Sequence, residues 1–287
     1  MRITDVVLRD GLQDEPVIVS TVDKVRIAQA LVAAGVREIE AASFVSAKLV
    51  PQMADAQDVL AALPERPDVR ISGIALNLRG ALRARDCRLD ELRMVVSASE
   101  GHSAANAGRS TEKALDEIAQ AVVEFSASPV TLVGAVATAF VCPYDGVLPV
   151  DRLVRVVRRL YDAGLRRLSL ADTLGTATPD QVRASVSAVR DAVPDAQISL
   201  HLHNTAGQAL STVDAVLDLG VVSLDSALGG LGGCPFAPGA AGNVATDALV
   251  AHLHDRGIDT GIDLPALATA ERLLRETLTH SEKLPIS

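Results

Sequence analysis

The chain has 287 residues, of which 48% are hydrophobic but only 2% aromatic, so a sizeable core must be built from Ala, Val, Leu and Ile. The formal net charge is −9 with no basic block, which excludes the electrostatic footprint of nucleic-acid binding. No run of about 18 apolar residues marks a membrane span.

Strand and helix patterns alternate from end to end. An apolar run at 3–8 predicts a first strand, followed by a helix at 21–34 behind Ser20 and Thr21. The strand at 36–41 leads to a helix at 50–63, and the strand at 69–75 to a helix at 78–86. The strand at 91–97 leads across a loop at 99–106 to a helix at 111–126, which starts at Ser110. The strand at 129–137 precedes a helix at 149–163, and the strand at 166–171 precedes one at 178–191 that opens on Thr178-Pro179. The strands at 196–201 and 221–225 precede helices at 205–219 and 243–255, and 263–280 reads as an additional helix. Gly35, Gly164 and Gly220 stand where helices should stop. Continuous apolar strands imply a parallel sheet buried on both faces. Eight β–α units spaced by roughly 30 residues favour a closed (β/α)8 TIM barrel. We therefore expect one α/β domain over 1–287, with a C-terminal helix beyond the barrel.

In such a barrel the reactive residues gather where strands end. His201 and His203 lie in Ile198-Ser-Leu-His-Leu-His-Asn204, and residues two apart on a strand share a face, so both imidazoles point the same way. The first strand ends in Arg9-Asp10-Gly11, the second in Glu40-Ala-Ala-Ser43, and the sixth in Asp172-Thr173. The eighth is followed by Gly229-Gly-Leu-Gly-Gly-Cys234-Pro and then Asn243. Closure of the barrel sets strands 7, 8, 1 and 2 on one arc, so Asp10, His201, His203 and Asn243 can converge on one cation. Two nitrogens and two oxygens suit Mg²⁺, Mn²⁺ or Zn²⁺ with positions left for substrate oxygens. Blander readings exist for each: a hydrogen-bonded core imidazole for His201, a turn cap for Asp10, a helix N-cap for Asn243. His252 and His254 are also two apart, but on a predicted helix, where such residues diverge. The glycine loop does not match a dinucleotide fingerprint; it reads as a closing loop that presents Cys234. Three cysteines, Cys87, Cys142 and Cys234, make no disulfide framework, and the N-terminus has no apolar signal segment, so a cytoplasmic setting is expected.

Five segments together are similar to the 3-hydroxy-3-methylglutaryl-CoA lyase family, within the metal-dependent TIM-barrel lyases and synthases. They are Arg9-Asp-Gly-Leu-Gln13-Asp-Glu15, Glu40-Ala-Ala-Ser43-Phe-Val-Ser, Ala171-Asp172-Thr-Leu-Gly-Thr, His201-Leu-His-Asn-Thr-Ala-Gly-Gln-Ala-Leu and Gly230-Leu-Gly-Gly-Cys234-Pro-Phe-Ala. The resemblance runs over nearly the whole chain. It implies a Mg²⁺ or Mn²⁺ ion on Asp10, His201, His203 and Asn243, and catalytic roles for Arg9, Asp10, Glu40, Asp172, His201 and Cys234. It also implies substrate contacts from Arg9, Gln13, Ser43 and Thr173, an acyl-CoA or hydroxy-acid substrate, and a homodimer. The expected reaction is cleavage of a 3-hydroxyacyl thioester, with His201 or a carboxylate such as Asp10 taking the hydroxyl proton. The alternatives are an aldolase or synthase acting on another hydroxy-oxo acid or acyl-CoA, and a non-catalytic binding barrel. Departures from the pattern include Ala135 in place of a usual Tyr, Asn204 in place of Asp, Ala206 in place of an aromatic, and Pro16 in place of a basic residue. The loop Ser99–Asn106 also lacks the usual lysines.

Overall fold

Eight parallel strands close into a barrel in the computed structural model, which describes residues 1–233 and 242–283. We label them β1 (Arg2–Asp5), β2 (Glu38–Ser43), β3 (Arg70–Ala75), β4 (Glu91–Ser97), β5 (Thr131–Ala137), β6 (Arg167–Asp172), β7 (Gln197–Leu202) and β8 (Ser223–Ser226). Each pairs with its chain neighbours, and β8 pairs with β1 from Arg2–Ser223 to Asp5–Ser226, which leaves the barrel without an edge. All eight predicted strands and the predicted barrel are present.

The helices are α1 (Thr21–Ala33), α2 (Ala56–Ala62), α3 (Leu78–Arg85), α4 (Glu100–Ala107), α5 (Thr111–Glu124), α6 (Val150–Asp162), α7 (Pro179–Ala192), α8 (Ala209–Val216), α9 (Thr246–His254) and α10 (Leu264–His280). Local chemistry explains their ends. Ser20 and Ser110 each cap a helix by accepting the backbone N–H three residues on, and Thr178 forms a capping box with Gln181 ahead of Pro179. Gly35, at φ +98°, turns the chain out of α1; a Cβ there would sit 2.2 Å from the Gly261 carbonyl oxygen. The inward stripe of α6 is Leu153, Val156, Val157 and Leu160, a helical period of apolar residues on the barrel. Each such side chain contributes roughly 1.5–3 kcal/mol on burial, so a charge at Val157 would lift α6 off the sheet.

Four predicted boundaries are corrected. The first strand stops at Asp5, and Val7–Gly11 is a π-helical turn, because the Asp5 carboxylate takes the Val7 N–H that a longer strand would pair. The expected helix at 50–63 shortens to α2, preceded by a 3-10 turn at Pro51–Met53. The expected loop at 99–106 is instead α4, capped by Ser99. The helix at 205–219 begins only at Ala209 and ends in a 3-10 turn. Two short strand pairs were also not foreseen: Val17–Ile18 with Glu282–Lys283, and Val141–Cys142 with Gly146–Val147.

The N-terminal mouth of the barrel is filled by charge: Glu38 accepts from Arg2 at 3.1 Å and from Arg70 at 3.0 Å, and Glu91 pairs with Arg70 and Arg167. A cleft of about 470 Å³ lies outside the barrel between α1 and α2, lined by Ala28, Val32, Leu60, Leu63 and Val69. Its walls carry none of the predicted site residues. Among the described residues, no helix is long and apolar enough to cross a membrane.

Candidate active site

The π turn sets the first two groups. Asp10 and Gly11 both donate their backbone N–H to the Val6 carbonyl, at 2.8 and 3.2 Å, which folds Arg9 and Asp10 back over the barrel mouth. Asp5 anchors the turn from below: one oxygen accepts from Val7 N–H at 2.9 Å and the other from the Thr246 hydroxyl at 2.7 Å. Gly11 leaves room for Leu231, since a Cβ there would lie 2.8 Å from Val7 and 3.3 Å from Leu231. His201 comes from β7 and His203 from just beyond it. Asn243 bridges antiparallel to His203 and lies ahead of α9, whose N-cap is Ala245. The helix-cap reading of Asn243 is thus overturned.

Three candidate ligands converge: one atom each from Asp10, His201 and His203 lies within 4.8 Å of the others. The two Nε2 atoms are 3.1 Å apart, and Asp10 Oδ2 is 3.5 Å from His203 Nε2 and 3.8 Å from His201 Nε2. Asn243 joins them by donating its Nδ2–H to Asp10 Oδ2 at 2.6 Å, with a second bond to the Leu231 carbonyl at 3.1 Å. Its Oδ1 is buried with no hydrogen-bond partner among the described residues. A buried acceptor left unpaired is costly, and an amide oxygen on a residue that bridges His203 and bonds Asp10 is chemically suited to complete a divalent-cation site there. Burial alone would raise the Asp10 carboxyl, but the Arg9 guanidinium and the two imidazoles hold it well below the usual range, so it is ionised.

Arg9 is clamped on two sides: Nε donates to Glu40 and Nη1 to Asp10, and all three side chains are buried. Glu40, fully enclosed, also faces Arg93 Nε at 3.2 Å. Asp172 ends β6 beside Leu202, and the His203 N–H reaches its carbonyl at 3.4 Å. Its Oδ2 accepts the Ala177 N–H at 3.1 Å, whereas Oδ1 is buried without a partner among the described residues. Burial pushes the Asp172 carboxyl up, against the pull of backbone N–H groups.

Arg9, Asp10, Glu40, His201, His203 and Asn243 thus form one contact network, with Asp172 on its border. Ser43 stands buried at the end of β2 with its hydroxyl unpaired among the described residues. Thr173 accepts the Thr138 N–H at 2.8 Å, and Thr138 sits at φ +49°, the one non-glycine with positive φ among the described residues. Such strain gathers at functional sites. Ser43 ends β2 and Thr173 directly follows β6, and Gln13 is half-buried near the turn. Cys234 lies outside the described residues. His252 pairs with Asp214 at 3.0 Å and His254 with Thr260 at 2.9 Å, on the outer helix as expected.

Sequence reasoning missed Arg93 and Asp225. Arg93 donates to both Asp225 oxygens, and Asp225 Oδ2 lies 3.2 Å from His201 Nδ1. Burial would raise the Asp225 carboxyl, but Arg93 and His201 hold it well below the usual range. The available signal was a charge in the middle of each of two apolar strands, where an ionised side chain demands a partner.

The chain is similar to proteins of known activity. An (R)-citramalyl-CoA lyase of Chloroflexus aurantiacus is 38% identical over 286 residues, covering 96% of this chain and 90% of its own. A hydroxymethylglutaryl-CoA lyase of Bacillus subtilis is 36% identical over 270 residues, covering 94% and 90%. The structure of an HMG-CoA lyase from Acinetobacter baumannii in complex with coenzyme A and 3-methylmalate superposes with a TM-score of 0.92 at 38% identity, over 98% of this chain and 92% of that one. Residues 1–274 match the HMGL-like family, and the chain belongs to that family.

Proposed function

We propose that the chain is a divalent-metal-dependent carbon–carbon lyase. It cleaves 3-hydroxy-3-methylglutaryl-CoA to acetyl-CoA and acetoacetate, or a related 3-hydroxyacyl thioester to acetyl-CoA and the matching oxo acid. The observation that carries this reading is the convergence of Asp10, His201 and His203, joined by Asn243 through its bond to Asp10 and with the Asn243 oxygen unpaired among the described residues, beside a buried Arg9–Glu40 pair. Those four residues would hold Mg²⁺ or Mn²⁺. The bound ion would polarise the substrate hydroxyl and lower its pKa.

The residues then divide the work. The free oxygen of Asp172 accepts the hydroxyl proton; its raised carboxyl is suited to take and hold one. The strand-end pattern points first to His201 or Asp10 as base, but the His201 nitrogens face Asp225 and His203, and Asp10 is bound to Arg9 and Asn243. As the oxyanion collapses to a ketone, the carbon–carbon bond electrons move into the thioester as an enolate. Arg9, fixed by two carboxylates, stabilises that charge. Cys234 donates the proton that the enolate carbon takes up. Ser43, Gln13 and Thr173 contact the substrate.

The likeness to a citramalyl-CoA lyase extends the substrate class, because both named substrates join a tertiary alcohol, a carboxylate and a thioester. The small side chain of Ala135 on β5 adds room at the mouth. The test is a product assay on metal-stripped protein reloaded with Mg²⁺ or Mn²⁺. Hydroxymethylglutaryl-CoA, citramalyl-CoA and the free acids are offered in parallel. Metal-dependent release of acetyl-CoA from a thioester supports the proposal; cleavage of free acids alone, or turnover unaffected by chelation, refutes it.

A further inference from the structure

Beneath the four ligand groups a chain of buried charge crosses the barrel. It runs from Asp10 through Arg9 and Glu40 to Arg93, then to Asp225 and the His201 ring. Arg93 stands on β4 and Asp225 on β8, opposite walls, so one guanidinium spans the interior. Nη1 and Nη2 each donate to an Asp225 oxygen, the latter at 3.0 Å. A carboxylate gripped this way is ionised and can only accept. Its approach to His201 Nδ1 at 3.2 Å therefore needs the proton on Nδ1. In the neutral ring that leaves the lone pair on Nε2, the atom facing His203 and Asp10.

We propose that Arg93 and Asp225 are positioning residues that hold His201 as its Nδ1–H tautomer, so that Nε2 stands ready as a metal ligand and His201 takes no part as a base. This rests on the metal-site reading above. Arg93 has a second task. Both Asp225 oxygens are engaged by its guanidinium, so Asp225 is kept from competing for the cation. Three carboxylates (Asp10, Glu40, Asp225) against two guanidinium groups (Arg9, Arg93) leave the floor with one net negative charge; without Arg93 it would carry two. A hydrogen-bonded partner behind a ligating imidazole is worth about 10–100-fold in metal affinity.

The test begins with ¹⁵N-histidine-labelled, metal-free protein at pH 8.5. Long-range ¹H–¹⁵N spectra read the tautomer, with the His201 signals assigned by their loss in His201→Gln. The proposal expects a protonated Nδ1 and an unprotonated Nε2. In Asp225→Asn the amide can turn to donate, so the tautomers mix, and the Mn²⁺ dissociation constant, read by electron paramagnetic resonance, rises about 10–100-fold. Arg93→Lys keeps the charge but loses the forked grip, and gives a smaller rise in the same direction. Circular dichroism checks that each variant is folded; if Asp225→Asn is not, the wild-type tautomer and Arg93→Lys decide. A wild-type His201 protonated on Nε2 overturns the proposal, as does a folded Asp225→Asn with unchanged tautomer and Mn²⁺ affinity within threefold. A wild type with the expected tautomer but no Mn²⁺ binding sinks the metal-site reading instead.

Discussion

Replacing Asn243 by Asp probes the cation site through stability alone. The Asn243 Nδ2–H now donates to Asp10 Oδ2 at 2.6 Å. In Asn243→Asp a second carboxylate oxygen takes its place, buried and facing an ionised Asp10. At an effective dielectric constant near 20, two unit charges at that separation repel by about 6 kcal/mol. Taking up a proton at pH 7 is the easier way out and costs about 4 kcal/mol for a carboxyl that ordinarily titrates near 4. The smaller figure sets the loss. At roughly 2–4 °C per kcal/mol for a chain of this size, Tm falls by about 8–16 °C when the metal is chelated. A divalent cation between the two carboxylates removes the repulsion and gains a charged ligand. Thermal unfolding of wild type and variant, each with chelator and with excess Mg²⁺ or Mn²⁺, therefore shows a larger metal-induced rise in Tm for the variant. An equal deficit with and without metal would mean that no cation sits between positions 10 and 243.

Arg9→Lys keeps one charge but cannot hold both Glu40 and Asp10 and still face the substrate; kcat falls about 10²–10³-fold, and steady-state kinetics check it. Cys234→Ala keeps Mn²⁺ binding but loses most turnover; a rate within about threefold of wild type, less than about 1 kcal/mol, would remove Cys234 from the proton step. Asp5 gives a pH dependence. Burial raises its carboxyl to about 7, against hydrogen bonds from Val7, Thr246 and Leu228. The folded state thus holds a proton that the unfolded chain releases near 4, and this contribution is complete below that value and lost as pH rises through about 7. Urea unfolding from pH 5 to 8 shows stability falling in wild type and a flatter profile in Asp5→Asn; parallel profiles would assign the slope elsewhere.

Periodicity carried the fold because it is a local signal. Buried parallel strands are continuous apolar runs, and caps such as Ser110 and Thr178 sit one residue before their helices. The same locality explains the errors. The π turn after β1 depends on Thr246, far away in sequence, which fixes Asp5 beneath it. His201 and His203 were legible from their spacing, and Asp10 and Asn243 from the closure of the barrel. Arg93 and Asp225 were not, because their pairing spans 132 residues and has no local spacing to announce it. The choice of base also required the folded site: only there does Asp172 show a buried oxygen without a partner among the described residues while both His201 nitrogens are engaged.

The most direct measurement is anomalous diffraction from crystals soaked in Mn²⁺. One peak is expected at about 2.0–2.3 Å from Asp10 Oδ2, both imidazole Nε2 atoms and Asn243 Oδ1. A site without a peak at saturating Mn²⁺, or a peak that leaves any of these four atoms beyond reach, would contradict the account.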